Sequence, residues 1–330
     1  MTNEMSTYPR LVGDVGGTNA RFALIEAPGG APARIVTLHS GDYVGPVEAI
    51  RAYLSQGNLP APHSAAIAIA TPVKGDAISM TNHPWKFSIE ATRQALGLER
   101  LLFVNDFTAL ALSLPHLTSA EFVKTGGGEA QAGYAIGVIG PGTGLGISGL
   151  VPCAGGYVPI EGEGGHATLS TQSVEEAAVL AALARQYDHV SAERALSGPG
   201  LLALYRALAI VRGVPAQDLD PKTISQHAMQ NSDALCVDAC NMFCALLGTA
   251  AANLALTLGA RGGLFIGGGI VPQLGVHENE FFARSPFRAR FETKGRFSDY
   301  LRQIPTLVIT AAFPTLTGAA EALQRSQSRS

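Results

Sequence analysis

Short apolar runs separated by Gly, Thr, Asn and Pro recur along this chain, and each such run predicts a strand closed by a turn. Leu11–Val15 and Ala20–Ile25 flank Gly16-Gly17-Thr18-Asn19 and predict a hairpin. Ala33–His39 predicts a third strand, and Val47–Gln56 has helical spacing. Ser64–Ala70 is apolar and stopped by Thr71-Pro72, which predicts a buried strand. Met80–Trp85 reads as a polar loop carrying the only Trp. Ser88 is placed to cap a helix with acidic Glu90 near its start. Leu101–Val104 predicts a strand ending at Asn105-Asp106, and Phe107–Leu114 a helix. Residues 1–9 read as a loose tail.

Phe122–Gly128 and Ala130–Gly133 read as a Gly-rich connection. Tyr134–Gly140, Pro141-Gly142-Thr143-Gly144 and Leu145–Val151 then repeat the opening pattern of strand, Gly/Thr turn and strand. Thr18 and Thr143 hold matching places, which points to a short internal duplication. Gly162–His166 is a loop too rich in Gly for a helix. Val174–Tyr187 and Gly200–Val211 predict helices, and the second is introduced by Ser197-Gly198-Pro199. Asp233–Thr257 predicts a long apolar helix. Gly262–Ile266 predicts a strand before Gly267-Gly268-Gly269, Thr306–Thr310 a last strand, and Thr317–Gln324 a terminal helix. The class is α/β.

The 330 residues suffice for two domains with real cores. Hydrophobic residues are 47% and charged residues 15%, which fits a compact protein rather than a disordered one. A net charge of −3, without any run of basic residues, argues against nucleic acid or a membrane surface as partner. No basic-then-apolar leader opens the chain. Residues 130–160 carry no charge and are long enough to span a bilayer, but their glycines and Pro141, Pro152 and Pro159 predict buried strands and turns instead. Cys236, Cys240 and Cys244 recur on one helix face and read as buried small apolar residues. A cytoplasmic protein is expected.

Three Gly-rich turns, each after an apolar strand, carry the first candidate chemistry. Gly16 and Gly17 let a ligand approach the backbone, and backbone N–H groups there would hold a phosphate. An ordinary Asn/Gly hairpin is the alternative for one turn alone. Three together suggest a nucleotide between two related halves, with Gly267–Gly269 giving room for a base or ribose. Two other phosphate motifs fail. No Gly-rich run carries the Lys of the Walker pattern. Gly144-Leu145-Gly146-Ile147-Ser148-Gly149 matches the dinucleotide pattern but leads into Leu150-Val151-Pro152 instead of a helix.

Asp106, at a strand's carboxyl end, would accept the proton of an attacking hydroxyl in phosphoryl transfer, or cap the helix at 107, or both. Glu163-x-x-His166 reads as a hydroxyl-binding loop or a metal pair, with a satisfied buried histidine as the plain reading of His166. Glu193 by itself reads as a solvated helix residue paired with Arg.

Gly13-Asp14-Val15-Gly16-Gly17-Thr18-Asn19-Ala20-Arg21, Thr81-Asn82-His83, Asn105–Ala109, Gly142–Gly146, Gly162–His166, His189–Arg194, Ser197–Gly200 and Gly267–Pro272 resemble, in order, the motifs of proteobacterial-type glucokinases. The resemblance runs from residue 11 to about residue 318. It implies the actin/hexokinase ATPase superfamily: two duplicated actin-like, ribonuclease-H-like α/β domains around a nucleotide and sugar cleft. It implies residues 1–112 plus about 315–330 as the small domain and 113–314 as the large one. The implied reaction is ATP-dependent phosphorylation of glucose at the 6-hydroxyl with Mg²⁺, the entry to glycolysis. Asp106 corresponds to the catalytic base. Asn105, Asp106, Glu163, His166 and Glu193 correspond to the sugar set. Gly13, Asp14, Val15, Gly16, Gly17 and Thr18 form the first phosphate loop, with Asp14 acting on Mg²⁺ through water. Thr143 and Gly144 belong to the second, and Gly267, Gly268 and Gly269 to the adenosine motif. A homodimer is also implied. Residues 167–190 lack Cys, which disfavours the zinc-bearing repressor and sugar-kinase branch. A kinase for another hexose, or a sugar sensor without turnover, are the alternatives.

Overall fold

The computed structural model describes residues 7–81 and 83–328; the tail 1–6, and Asn82 of the Thr81-Asn82-His83 motif, lie outside the described residues. The chain divides into two compact units, one running to Leu117 and resuming at Ala312, the other Thr118–Ala311.

The first unit opens with β1 (Arg10–Val15), β2 (Asn19–Ile25) and β3 (Ala33–His39), an antiparallel meander. After α1 (Pro46–Gln56), β4 (Ser64–Ile69) returns parallel to β1. A small ribbon, β5 (Ala77–Ser79) with β6 (Lys86–Ser88), precedes α2 (Ile89–Ala95). The Ser88 hydroxyl caps α2 by accepting from the Ala91 N–H at 3.0 Å. β7 (Arg100–Asn105) then runs parallel to β4 and leads into α3 (Asp106–Ser113). The strand order is β3-β2-β1-β4-β7. Leu11, Val15, Phe22, Leu24, Ile50, Tyr53, Ile67 and Trp85 fill one side of the sheet. The residues before β1 are not loose throughout: Tyr8 packs on the apolar cluster of the other side, and Arg10 lies over its ring at 4.2 Å.

The second unit contains β8 (Phe122–Gly126), β9 (Ile136–Pro141), β10 (Leu145–Cys153) and β11 (Gly156–Ile160). Helices α4 (Val174–Leu183), α5 (Gly198–Arg212), α6 (Pro221–Gln230) and α7 (Ala234–Leu258) follow. Then come β12 (Leu264–Ile266), the short helices α8 (Ile270–Gln273), α9 (Phe281–Arg284), α10 (Phe287–Glu292) and α11 (Ser298–Arg302), and β13 (Thr306–Ile309). The order is β11-β10-β9-β12-β13-β8. β9, β10 and β11 form an antiparallel meander, while β12 and β13 lie parallel to β9. The first five strands thus repeat the arrangement of the other sheet. Phe122–Gly126, expected as a connection, is the edge strand paired with β13. Its Lys, Thr and Gly disguise it, because edge strands keep polar residues.

Helix α7 is the one described helix long and apolar enough to cross a membrane, yet it packs against α5, α6 and α10 inside this unit. Cys236, Cys240 and Cys244 are fully buried on it with free thiols. Burial pushes Cys236 and Cys244 up to about 12, and Cys240 upward as well, so these thiols stay protonated and packed at neutral pH.

The terminal helix α12 (Pro314–Ser328) belongs to the first unit and lies on α3, β4 and β1. Gly318 approaches the Ala109 carbonyl of α3 so closely that no Cβ would fit.

Candidate active site

In the first unit the parallel strands β1, β4 and β7 end in a row. Val15 pairs with Ile69, and Ile69 with Asn105. Two strand spacings put Asn105 about 10 Å from Val15. This carboxyl edge is where open α/β sheets place ligands. The β1–β2 turn sits there, closed by the Gly16 N–H donating to the Asn19 carbonyl at 2.9 Å. Ser40, fully buried just after β3, clamps it from behind. Its hydroxyl donates to the Gly16 carbonyl at 3.0 Å and its N–H to the Thr18 carbonyl at 2.8 Å. The Gly16 and Thr18 carbonyls are thereby committed to Ser40 rather than to the space an anion would enter.

Of the residues expected at this loop, Gly16, Gly17 and Thr18 form the accessible turn. Gly13 and Val15 lie within β1, their backbones in the ladders to β2 and β4. The Val15 side chain is in the core, and the Phe22 ring stands 3.0 Å from where a Gly13 Cβ would be. Asp14 is half-buried, and its Oδ2 receives the Arg21 Nη1 at 3.3 Å from the facing strand. Burial pushes its carboxyl up, and Arg21 offsets this only in part.

The cap of α3 is Asn105, not Asp106. The Asn105 Oδ1 accepts from the N–H groups of Phe107 at 2.9 Å and Thr108 at 3.1 Å. Asp106 is the first residue of the helix, its Oδ1 also 2.9 Å from the Phe107 N–H. A carboxylate in the first turn is favoured by the helix dipole.

In the second unit, β9, β12 and β13 end together in the same way. At the β9–β10 tip the Gly142 N–H donates to the Gly144 carbonyl at 2.8 Å and Thr143 is exposed. The Gly267 N–H donates to the Ile139 carbonyl at 2.8 Å. Gly268, at φ +75°, lies against the Pro141 carbonyl with no room for a Cβ. The second and third Gly turns therefore adjoin at the end of β9. A groove of about 450 Å³ is walled by Pro272, which follows the third turn in sequence, with Gly275, His277, Arg284 and Thr310; the turn glycines themselves do not line it.

Gly164–His166, expected as a loop, forms one 3₁₀ turn. Gly165 packs on the Leu145 carbonyl where a Cβ would clash. The Ala192 N–H donates to the Ala167 carbonyl at 2.8 Å, so this turn sits beside the 3₁₀ turn Ala192–Arg194. Glu163 and His166 are both exposed, against the buried-histidine reading. Glu193 is not paired with its neighbour: Arg194 stacks over Tyr187 at 4.4 Å, and the Glu193 Oε2 accepts from the Leu145 N–H at 2.9 Å. Glu163, His166 and Glu193 thus gather around the start of β10, directly after Thr143-Gly144. As to the metal-pair reading, no group of three or more His, Cys, Asp or Glu suited to a metal occurs among the described residues.

Ser40 escapes the sequence reading, whereas Ser197 stands in the motif that introduces α5. Ser40 gives no signal beyond a small residue before Gly41. Ser197 donates to the Glu193 carbonyl at 2.8 Å and caps α5 through the Gly200 N–H at 3.0 Å, a cap signalled by Ser-Gly-Pro-Gly.

The glucokinase family model matches residues 11–326. The chain is 56% identical over 318 residues to the glucokinase of Aromatoleum aromaticum, covering 96% of this chain and 95% of that protein. It is 51% identical over 313 residues to the glucokinase of Chromobacterium violaceum, covering 95% and 88%. Among solved structures, the glucokinase from an Antarctic psychrotroph superimposes with a TM-score of 0.85 at 39% identity, covering 96% of this chain and 99% of that one.

Proposed function

The chain belongs to the glucokinase family, and from that premise we propose which of its residues carry the transfer of a phosphoryl group from ATP to glucose. The observation that carries the reading is Asp106. It stands at the carboxyl end of β7, in the first turn of α3, on the same sheet edge as the Gly16–Thr18 turn.

Asp106 accepts the proton of the glucose 6-hydroxyl. The O6 oxygen forms its bond to the γ-phosphorus as the bond to the β,γ-bridging oxygen breaks, giving glucose 6-phosphate and ADP. Phosphoryl transfer asks mainly for positioning and charge stabilisation, so the remaining groups orient rather than react. Asn105 holds the sugar through its Nδ2 donors, since its Oδ1 is spent on the helix cap. Glu163 and Glu193 accept protons from sugar hydroxyls, and His166 adds a ring nitrogen. A sugar lacking one of these hydroxyls leaves its partner unpaired, which is the source of selectivity.

The Gly16 and Gly142 N–H groups are spent within their own turns, so the backbone N–H groups offered to the phosphates are those of Gly17 and Thr18 and of Thr143 and Gly144. The third turn, with the groove walled by Pro272 that follows it in the chain, takes the adenosine. Mg²⁺ fits Asp14. That ion is held through one or two carboxylates, substrate phosphates and waters rather than a protein cage. A single half-buried carboxylate beside a phosphate turn is such a donor set. When bound, Mg²⁺ supplies positive charge to the β- and γ-phosphate oxygens.

The shared strand order supports two duplicated actin-like ATPase domains. The compact units support boundaries near Leu117 and Ala312, beside the 112 and 315 expected from sequence. A homodimer and a cytoplasmic location go with the family resemblance. ATP consumption by the purified protein over a panel of hexoses tests the reading: glucose is turned over best, and no turnover of any hexose would overturn it.

A further inference from the structure

Glu193 touches more than the sugar reading requires. Its Oε2 accepts the Leu145 N–H at 2.9 Å, the first amide after the second phosphate turn. Its carboxylate lies against the Gly144 Cα, in the space a Cβ would take. The same short segment grips the turn again, through the Gly198 N–H to the Gly142 carbonyl at 2.8 Å. Ser197 fixes the segment itself by donating to the Glu193 carbonyl. The turn is thus held at both ends from one stretch of chain. The end nearest the sugar residues is held by a side chain.

We propose that Glu193 is also a positioning residue for the nucleotide: one carboxylate oxygen fixes the Gly142–Gly144 turn through the Leu145 N–H while the other serves the sugar. The proposal rests on Glu193 being a sugar ligand only for its second half. A long side chain loses rotamer freedom when it is ordered. A sugar hydroxyl bonded to one oxygen holds the carboxylate in the rotamer that bonds Leu145, so part of the cost of ordering the turn is already met when ATP or ADP arrives. By linkage, bound nucleotide strengthens sugar binding by the same factor.

The test measures MgADP binding calorimetrically, in the absence of sugar, to the full-length protein and three variants. Glu193→Gln keeps an acceptor oxygen for the Leu145 N–H and binds ADP within about twofold of wild type. Glu193→Ala removes the acceptor, and Glu193→Asp keeps the charge but is one methylene short; both bind ADP about five- to tenfold more weakly, the scale of one lost hydrogen bond. Glu193→Asp serves should the alanine variant fail to fold. ADP affinities that are equal in Glu193→Gln and Glu193→Asp overturn the proposal. Glucose binding to Glu193→Gln is a separate arm. Unchanged affinity there removes Glu193 from the sugar set and with it the coupling, while the ADP comparison still decides the hold on the turn.

Discussion

The Ser40 hydroxyl donates to the Gly16 carbonyl at 3.0 Å, in the β1–β2 turn assigned to phosphate. With the Ser40 N–H on the Thr18 carbonyl, one buried residue holds the carbonyls at both ends of the turn. A phosphate meets backbone N–H groups only while those carbonyls stay committed.

Ser40→Ala removes the hydroxyl and leaves the Gly16 carbonyl short of a partner. The expected cost is about 1 kcal/mol of stability and about a five- to tenfold rise in KM for ATP. KM for glucose stays within about twofold, because the bonds of Ser40 go to the Gly16 and Thr18 carbonyls. Steady-state kinetics and urea unfolding measure both. Equal rises in the two KM values would mean general loosening instead.

Asn105 has two separable tasks. Asp caps helices as well as Asn does, so Asn105→Asp keeps α3 within a few tenths of a kcal/mol, whereas Asn105→Ala costs about 1 kcal/mol. Only the amide carries the Nδ2 donors. Asn105→Asp is therefore expected to weaken glucose binding about tenfold or more at near-normal stability, by calorimetry. Wild-type glucose affinity in Asn105→Asp would remove those donors from the sugar site.

The ion pair Glu176–Arg290 ties α4 to α10 away from the proposed chemistry. Arg290 Nη2 lies 2.6 Å from Glu176 Oε1 and Nη1 lies 3.1 Å from Oε2, with the Gln172 N–H also donating to Oε2. Burial alone would push the Glu176 carboxyl up; these bonds outweigh it and hold it below the ordinary 4.5. A depressed folded pKa means the contribution is complete above the unfolded value and is lost as pH falls through the folded one. Stability should therefore decline in acid below about pH 4.5. Glu176→Gln removes that share of the acid slope and costs about 3 kcal/mol or more at neutral pH, since it leaves a half-buried guanidinium without its charge partner. Urea midpoints across the acid range measure it. The same acid slope in wild type and Glu176→Gln would contradict the assignment.

Much of this architecture was legible because it is local. Apolar runs such as Ala65–Ile69 and Ile136–Pro141 are strands buried on both faces. The Ser88 cap and the buried cysteine face of α7 also follow from spacing along the chain. The edge strand Phe122–Gly126 was harder, because it carries the Lys and Thr that an edge keeps. The chemistry-bearing residue types stood out, but their partners did not. Glu193 reads as a solvated acid until Leu145, far away in sequence, brings its N–H to it. Ser40 has no signature, because its role depends on a turn two strands earlier. The exchange of cap duty between Asn105 and Asp106 is a one-residue shift in helix start, which side-chain geometry decides and propensity does not.

The most direct test is glucose-dependent ATP consumption by Asp106→Asn beside wild type. Asn keeps the size and loses the proton acceptor, so kcat should fall by about 10²–10⁴, the range of a lost general base, with a milder change in glucose binding. Turnover by Asp106→Asn close to that of wild type would contradict Asp106 as the base.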